Sequence, residues 1–600
     1  MNIKREHVYF GSNPYSKAPI IMYSVTVDES ELAVAKNVCF QMSEVFSQCY
    51  IDAKPEEGAT EMYVGSVLSN IVKFLINDNN GCITSSGVSS TADSNGVLIW
   101  VDFHYLRIST LAMKSVLSIF QLLMTGKAMQ CDEVQRTLKF FQASCQKAHP
   151  RKTPFFDIAQ EDKIPMSPYP SIFNAWQFGW GKKSRVFVSA SPMEDSYHGV
   201  RTSLDKAISL RMLRDIGVPT AKSVVINKKE ELKRAGETIG YPCVVKPIRG
   251  TQGKGVTANI QNYNELQLAY DHAKGSLYGK NPLLIEAFVE GDVYRIMIAD
   301  GEMIGAILRK PSYVVGNGRS TLKELIYKLN KQREALNTAP AQLMPVKIDA
   351  ALMVHLKKSG VSLDDVINNS ETVTLNSVAA HSSGAIVDNV TNLLHPDNIV
   401  MFQLIAQASS IANLGIDYIT KNISKPFNET KGVVIEYNHH PSLSAAVFSS
   451  NPKDAVRSIL NVGSGRIPAV FLVLDAESMR QAESFFIQNI KDSSIGWVCA
   501  DKAYIGQVLL SIGDATGWMP VKILLRNKTV QKVVLVCTDV DMMEKGLPVD
   551  KADLICMHNV NLTEPWGSVI TNASPVVKTY TDLNALFSFV LNHLEARHNS

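Results

Sequence analysis

The chain has 600 residues, 46% of them apolar and 20% charged, with 60 Lys and Arg against 57 Asp and Glu for a net charge of +3. That length exceeds what one hydrophobic core can serve and predicts several domains. The balanced charge, with no polybasic run, gives no footprint for nucleic acid or a membrane surface. No apolar run is expected to reach membrane-spanning length, and MNIKREHVYFG lacks the apolar core of a signal peptide. The nine cysteines are scattered without a CxxC pair, which predicts reduced thiols and a cytoplasmic protein.

In chain order, residues 1–165 read as an α+β domain. GVLIWVDF at 96–103 has the short apolar run of a buried strand, and LRISTLAMKSVLSIFQLLM has the spacing of a helix packed on it. The Pro-rich stretch from Pro150 to Pro170 reads as a linker. Across 166–467, strands and helices alternate with Gly-rich loops. From 468 to 600, the strand-like AVFLVLD, VKILLRN and KVVLVCTDV and the apolar helix DLNALFSFVLNHL predict a small α/β domain. The fold class is therefore multidomain, α/β and α+β.

The chemistry gathers in the middle region. YPCVVKPIRGTQGKGVTANI at 241–260 is a strand ending in Lys246, then a loop with Gly250, Gly253 and Gly255. Such a loop lets backbone N–H groups approach phosphate oxygens, and Lys246 and Lys254 add positive charge. It is not a phosphate loop of the G-K-[ST] kind, and alone a Gly-rich hairpin is more often structural. Upstream, SLDKAISLRMLRDIGVP places Lys206 at the head of an amphipathic helix that stops at Gly217. Downstream, Glu436 and Asn438 lie two apart on the apolar strand GVVIEYN, so both side chains share a face. Asp417 in LGIDYI offers a third oxygen. Two carboxylates and an amide oxygen suit Mg²⁺, with phosphates completing the shell.

From Lys206 to Asn438 this order and spacing resemble the ATP-grasp superfamily. The resemblance implies ATP and Mg²⁺ as cofactors. It places phosphates on Lys206 and Lys246 under the loop of Gly253, Lys254 and Gly255, and the adenine amino group on Glu286 beside backbone contacts near Phe288 and Val289. It puts magnesium on Asp417, Glu436 and Asn438. Activating a carboxylate as an acyl phosphate builds charge that fixed guanidinium groups stabilise, which points to Arg295 and Arg309, each in an otherwise apolar strand. The plain reading of each arginine is a surface ion pair.

Closer features, FGWGKKSRVFVSA, VVGNGRSTLKELI and LLHPDN, are similar to the cyanophycin synthetase family, which builds an Asp–Arg polymer. The departures are local. Val293 stands where that family has an acidic residue for ribose hydroxyls, with Asp292 beside it as a substitute. VTLNSVAAHSSGAIVD departs at Asn376 and Ala380, and SLSAAV replaces the stretch after the metal motif. His381, Ser382, Ser383, His439 and His440 are candidates to line the pocket, though such residues are more often structural. The resemblance therefore implies amino-acid or short-peptide substrates other than the polymer's. After GRIP, the glycine phosphate loop of a Mur-ligase-like domain is replaced by LDAESMRQ. Ser478 stands near the lysine position, with Asp475 and Glu477 adding negative charge, and Glu564-Pro565 replaces an Asp-His pair. The expectation is a degenerate Mur-ligase-like domain without nucleotide, kept for packing in a homo-oligomer. The expected activity is carboxylate–amine ligation. The alternatives are a regulatory homologue that holds ATP without turnover, and a ligase using another nucleophile.

Overall fold

The alternating apolar pattern of the first region folds into one antiparallel sheet. The computed structural model describes residues 2–46, 60–90, 96–148, 153–169, 175–250, 253–336, 344–376, 384–439, 441, 443, 449–510 and 516–596. Contacts divide the chain into two units: Met1–Lys152 with Ala159–Val186 and Val462–Ser600, and Thr153–Ile158 with Phe187–Asn461.

In the first unit, strands Asn2–Tyr9, Ile20–Thr26, Gly96–Asp102 and Ser86–Ser90 pair in that order. Val97, Ile99 and Val101 are buried while Leu98 and Trp100 between them are only half-buried, as a period of two requires. Helices Thr60–Asp78 and Leu106–Met124 bury Val67, Ile71, Ala112 and Val116 in the same core. Leu106–Met124 is long and apolar enough to cross a membrane, contrary to the sequence expectation, but Ile108, Met113, Ile119 and Phe120 place it in this core.

The same unit contains a seven-stranded sheet. Its parallel strands run in the order Ile495–Cys499, Lys532–Thr538, Ala469–Leu474, Leu554–His558 and Val577–Tyr580, with an antiparallel edge of Lys502–Ile505 and Val508–Leu509. VKILLRN is not a strand: Met519–Arg526 is a helix with proline in its first turn, burying Val521, Leu524 and Leu525 at helical spacing. The two ends of the sequence meet here. Ser12 and Leu547 exchange backbone hydrogen bonds of 3.1 and 2.7 Å, and the Tyr9 ring lies 6.1 Å from Trp566. The Pro150–Pro170 stretch is also not a plain linker, since Pro154–Glu161 is a helix with buried Phe155 and Phe156.

Besides the two-stranded pair Tyr313–Val315 and Thr372–Thr374, the second unit holds two larger antiparallel sheets. One is ordered Thr257–Ile260, Cys243–Pro247, Leu283–Ala287, Ser223–Ile226. The other is ordered Ile386–Asn389, Glu302–Lys310, Asp292–Ala299, Asn413–Thr420, Val433–Asn438. Helix Lys206–Asp215 begins at Asp205, whose side chain accepts from the N–H groups of Ala207 and Ile208, and ends before Gly217 at φ 80°.

Candidate functional site

Register brings the charged residues together. In the five-stranded sheet, Arg295 pairs with Asp417 and Asp417 with Glu436, a row across three strands. Gly415 pairs with Asn438 in the next row of the same face, and Arg309 opposes Val293. Arg295 Nη1 lies 3.0 Å from Asp417 Oδ1, and Arg309 Nη1 lies 3.3 Å from the same oxygen. The Asn438 amide, oriented by its neighbours, accepts from Arg295 Nη1 at 3.1 Å and donates to Glu436 Oε1 at 2.9 Å. Burial pulls Arg309 below the usual guanidinium range, an effect that Asp417 opposes.

Lys206 connects this face to the glycine loop. Its Nζ donates to the Gly250 carbonyl at 2.9 Å and lies 3.6 Å from Glu436 Oε2. Its backbone N–H donates to the Ile248 carbonyl at 2.9 Å. Lys206, Arg295 and Arg309 therefore face Asp417 and Glu436 with positive charge in surplus, which favours an anionic ligand.

In the four-stranded sheet Lys246 pairs in register with Leu284 and Val244 with Glu286, so Lys246 and Glu286 are diagonal neighbours on one face. Their side chains form an ion pair of 2.6 Å. Lys206, Lys246, Glu286 and Arg295 are only 8, 6, 4 and 5% exposed, which rules out the surface ion-pair reading for Arg295.

Gly253 and Gly255 have φ of 72° and 74°, a region open to glycine, and Lys254 between them is exposed. The Phe288 N–H is taken by the Pro242 carbonyl at 3.0 Å, while Phe288 and Val289 are half-buried and Asp292 is exposed. Asn376 is structural in part, its Oδ1 accepting from the Ser312 N–H at 3.0 Å. The His439 ring is held through Nδ1 by the Ser203 hydroxyl at 2.7 Å. Ala380, His381, Ser382, Ser383, His440 and most of SLSAAV lie outside the described residues.

Three buried atoms test the fit of ATP. Glu286 Oε1 has no hydrogen-bond partner, which suits an amino-group donor. Arg295 Nε and Arg309 Nε are donors without acceptors, which suits phosphate or carboxylate oxygens. The donor set of Asp417, Glu436 and Asn438 is all oxygen, as Mg²⁺ requires. Among the described residues no cluster of three His, Cys, Asp or Glu side chains forms a metal site; this set has two carboxylates and an amide. Sequence reasoning missed Asp205, which caps the Lys206 helix and lies 3.5 Å from Arg249 Nε. Its signal was an Asp immediately before a helical pattern.

Residues 211–387 match the ATP-grasp domain family, so the chain carries an ATP-grasp domain. It is similar to cyanophycin synthetases: that of Synechocystis sp. is 28% identical over 395 residues, which are 64% of this chain and 45% of the relative. The match thus spans less than half of that relative's length. The glutathione biosynthesis bifunctional protein GshAB of Clostridium perfringens is 25% identical over 257 residues, 42% of this chain and 33% of the relative. Among solved structures, a bifunctional glutathione synthetase from Pasteurella multocida aligns at 18% identity, covering 58% of this chain and 51% of that one, with a TM-score of 0.38.

Proposed function

We propose that this chain is an ATP-dependent carboxylate–amine ligase that joins amino-acid-like substrates through an acyl phosphate, releasing ADP and phosphate. The observation that carries the reading is the row of Arg295, Asp417 and Glu436 on one sheet face, tied through Lys206 to the glycine loop. Bound ATP with magnesium supplies the phosphoryl group that turns a carboxylate into an acylating agent. Lys206 and Lys246 neutralise phosphate charge, and the loop of Gly253, Lys254 and Gly255 covers it. Glu286 receives the adenine amino group through its unpartnered oxygen, near Phe288 and Val289, and Asp292 serves the ribose. Asp417, Glu436 and Asn438 hold magnesium. Arg295 and Arg309 orient the carboxylate and stabilise charge on the oxygens between which the phosphoryl group passes. The remaining work is positioning of the amine.

The division into 1–165, 166–467 and 468–600, a degenerate Mur-ligase-like origin for the last part, a homo-oligomeric assembly and a cytoplasmic location belong to the same proposal. The similarity to cyanophycin synthetases supports amino-acid or peptide substrates. The departures at Asn376 and Ala380 favour a small amide product over an Asp–Arg polymer. The test is ADP release by the purified chain with Mg²⁺ and pools of amino acids and dipeptides, with products read by mass spectrometry. The expected result is ADP release dependent on one pool and a product whose mass is the sum of its two parts less one water. Bound ATP with no pool-dependent ADP release overturns the reading.

A further inference from the structure

Arg295 makes a long reach. It stands on the strand Asp292–Ala299, yet its Nη1 meets Asn438 two strands away, on the far side of Asn413–Thr420. Neighbouring strands lie about 4.8 Å apart, so the guanidinium must lie flat over the strand between. The position that it crosses is Gly415. A Cβ built there would stand 2.5 Å from Arg295 Nη2, 2.6 Å from Cζ and 2.8 Å from Nε, all far inside van der Waals contact. Gly415 pairs with Asn438 on one side and with Met297 on the other, one row from the Arg295–Asp417 pair.

The backbone itself does not ask for glycine. Gly415 lies within a strand and is not among the glycines of positive φ, so alanine fits its conformation. Glycine inside a strand otherwise costs stability and packs nothing, and its use marks a close approach. Here the approaching group is a side chain of the same site, and no other atom crowds the position as closely.

We propose that Gly415 is a positioning residue for the ligation reaction: its missing side chain is the lane through which Arg295 reaches Asn438 and the magnesium ligands. The proposal rests on the ligase reading for its effect on turnover, but the contact itself stands without it. Gly415→Ala leaves the fold intact, because the crowded atoms belong to the end of a flexible side chain. The guanidinium must retreat by roughly 1 Å to restore ordinary contact, and a misplacement of that size costs on the order of a hundredfold in rate.

The experiment compares wild type, Gly415→Ala, Arg295→Ala and the double variant by ATP-dependent ADP release and by thermal melting. For Gly415→Ala the expected result is a kcat lowered about a hundredfold with KM for ATP changed less than about threefold, since Lys206 and Lys246 still hold the phosphates. Melting is lowered by Gly415→Ala when Arg295 is present, and is unchanged or raised when Arg295 is alanine. A kcat within about twofold of wild type, or an equal loss of melting temperature in both backgrounds, overturns the proposal. If wild type itself releases no ADP with any pool, the ligase reading fails, while the melting cycle still decides whether Gly415 seats Arg295.

Discussion

Lys246 is tied to a carboxylate, and that changes what its removal should do. A lysine that only met phosphate beside a glycine loop would silence the chemistry on removal and spare the fold. The structure instead buries it against Glu286 at 2.6 Å. Removing one partner of a buried pair leaves the other charge uncompensated and costs about 3–5 kcal/mol. Lys246→Ala is therefore expected to lose ATP-dependent turnover and also to lower the urea midpoint. Adding Glu286→Gln should restore most of the midpoint without restoring turnover. If Lys246→Ala alone melts like wild type, the pairing is wrong. This pairing was not legible in the sequence, because the partners are far apart in the chain and meet only through strand register. The common face of Glu436 and Asn438 was legible, since a spacing of two on a strand fixes it without any tertiary information.

At the scale of elements, the sequence revealed those with an unambiguous period. Leu106–Met124 is a helix and Gly96–Asp102 a strand, as their patterns implied. VKILLRN misled because a short apolar run fits both periods; only Pro520 and the spacing of Val521, Leu524 and Leu525 select the helix. The Gly96–Asp102 strand ends in a buried acid that no pattern announced. Asp102 Oδ2 accepts from the Thr84 and Ser85 N–H groups and the Thr84 hydroxyl, while Oδ1 has no partner. Burial pushes its carboxyl up to about 6, against those hydrogen bonds. With the folded value raised above the unfolded one, the folded state binds the proton more tightly. Stability from this group therefore falls as pH rises from about 4 to 6, and the cost is fully present above that window, at about 3 kcal/mol. Asp102→Asn should flatten this part of the pH dependence. Urea titrations at pH 4.5 and 7 check it, and an unchanged slope in the variant refutes the assignment.

At the scale of the whole molecule, the question is how many nucleotides the chain binds. In the C-terminal sheet the Ala469–Leu474 strand sits centrally: the chain goes from it to Ile495–Cys499 on one side, returns through Lys532–Thr538, and crosses to Leu554–His558 on the other. The carboxyl end of such a strand is where open α/β sheets bind ligands. That place is taken by the protein itself. Asp475 caps helix Ala476–Asn489, its Oδ1 accepting from the Glu477 and Ser478 N–H groups at 2.9 Å each and its Oδ2 from the Ser478 hydroxyl at 2.6 Å. Ser478 also lies 3.0 Å from His558 Nδ1, at the end of the neighbouring strand. Burial works against the Asp475 charge, but the hydrogen bonds from Ser478 and Glu477 hold its carboxyl down to about 2. An ionised carboxylate thus occupies the amide donors that a phosphate would need. At 4 Å and an effective dielectric of 20, each pair of like charges costs about 4 kcal/mol. We therefore expect calorimetric titration with a non-hydrolysable ATP analogue to find one site per chain, lost in Lys246→Ala with Glu286→Gln. A second site that survives those substitutions defeats the argument. Removing 468–600 should not act by removing a nucleotide site. It strips Leu547 from Ser12 and Trp566 from Tyr9, so the N-terminal sheet loses packing partners and solubility should fall. A truncated chain that stays soluble and monodisperse would show that those contacts are dispensable.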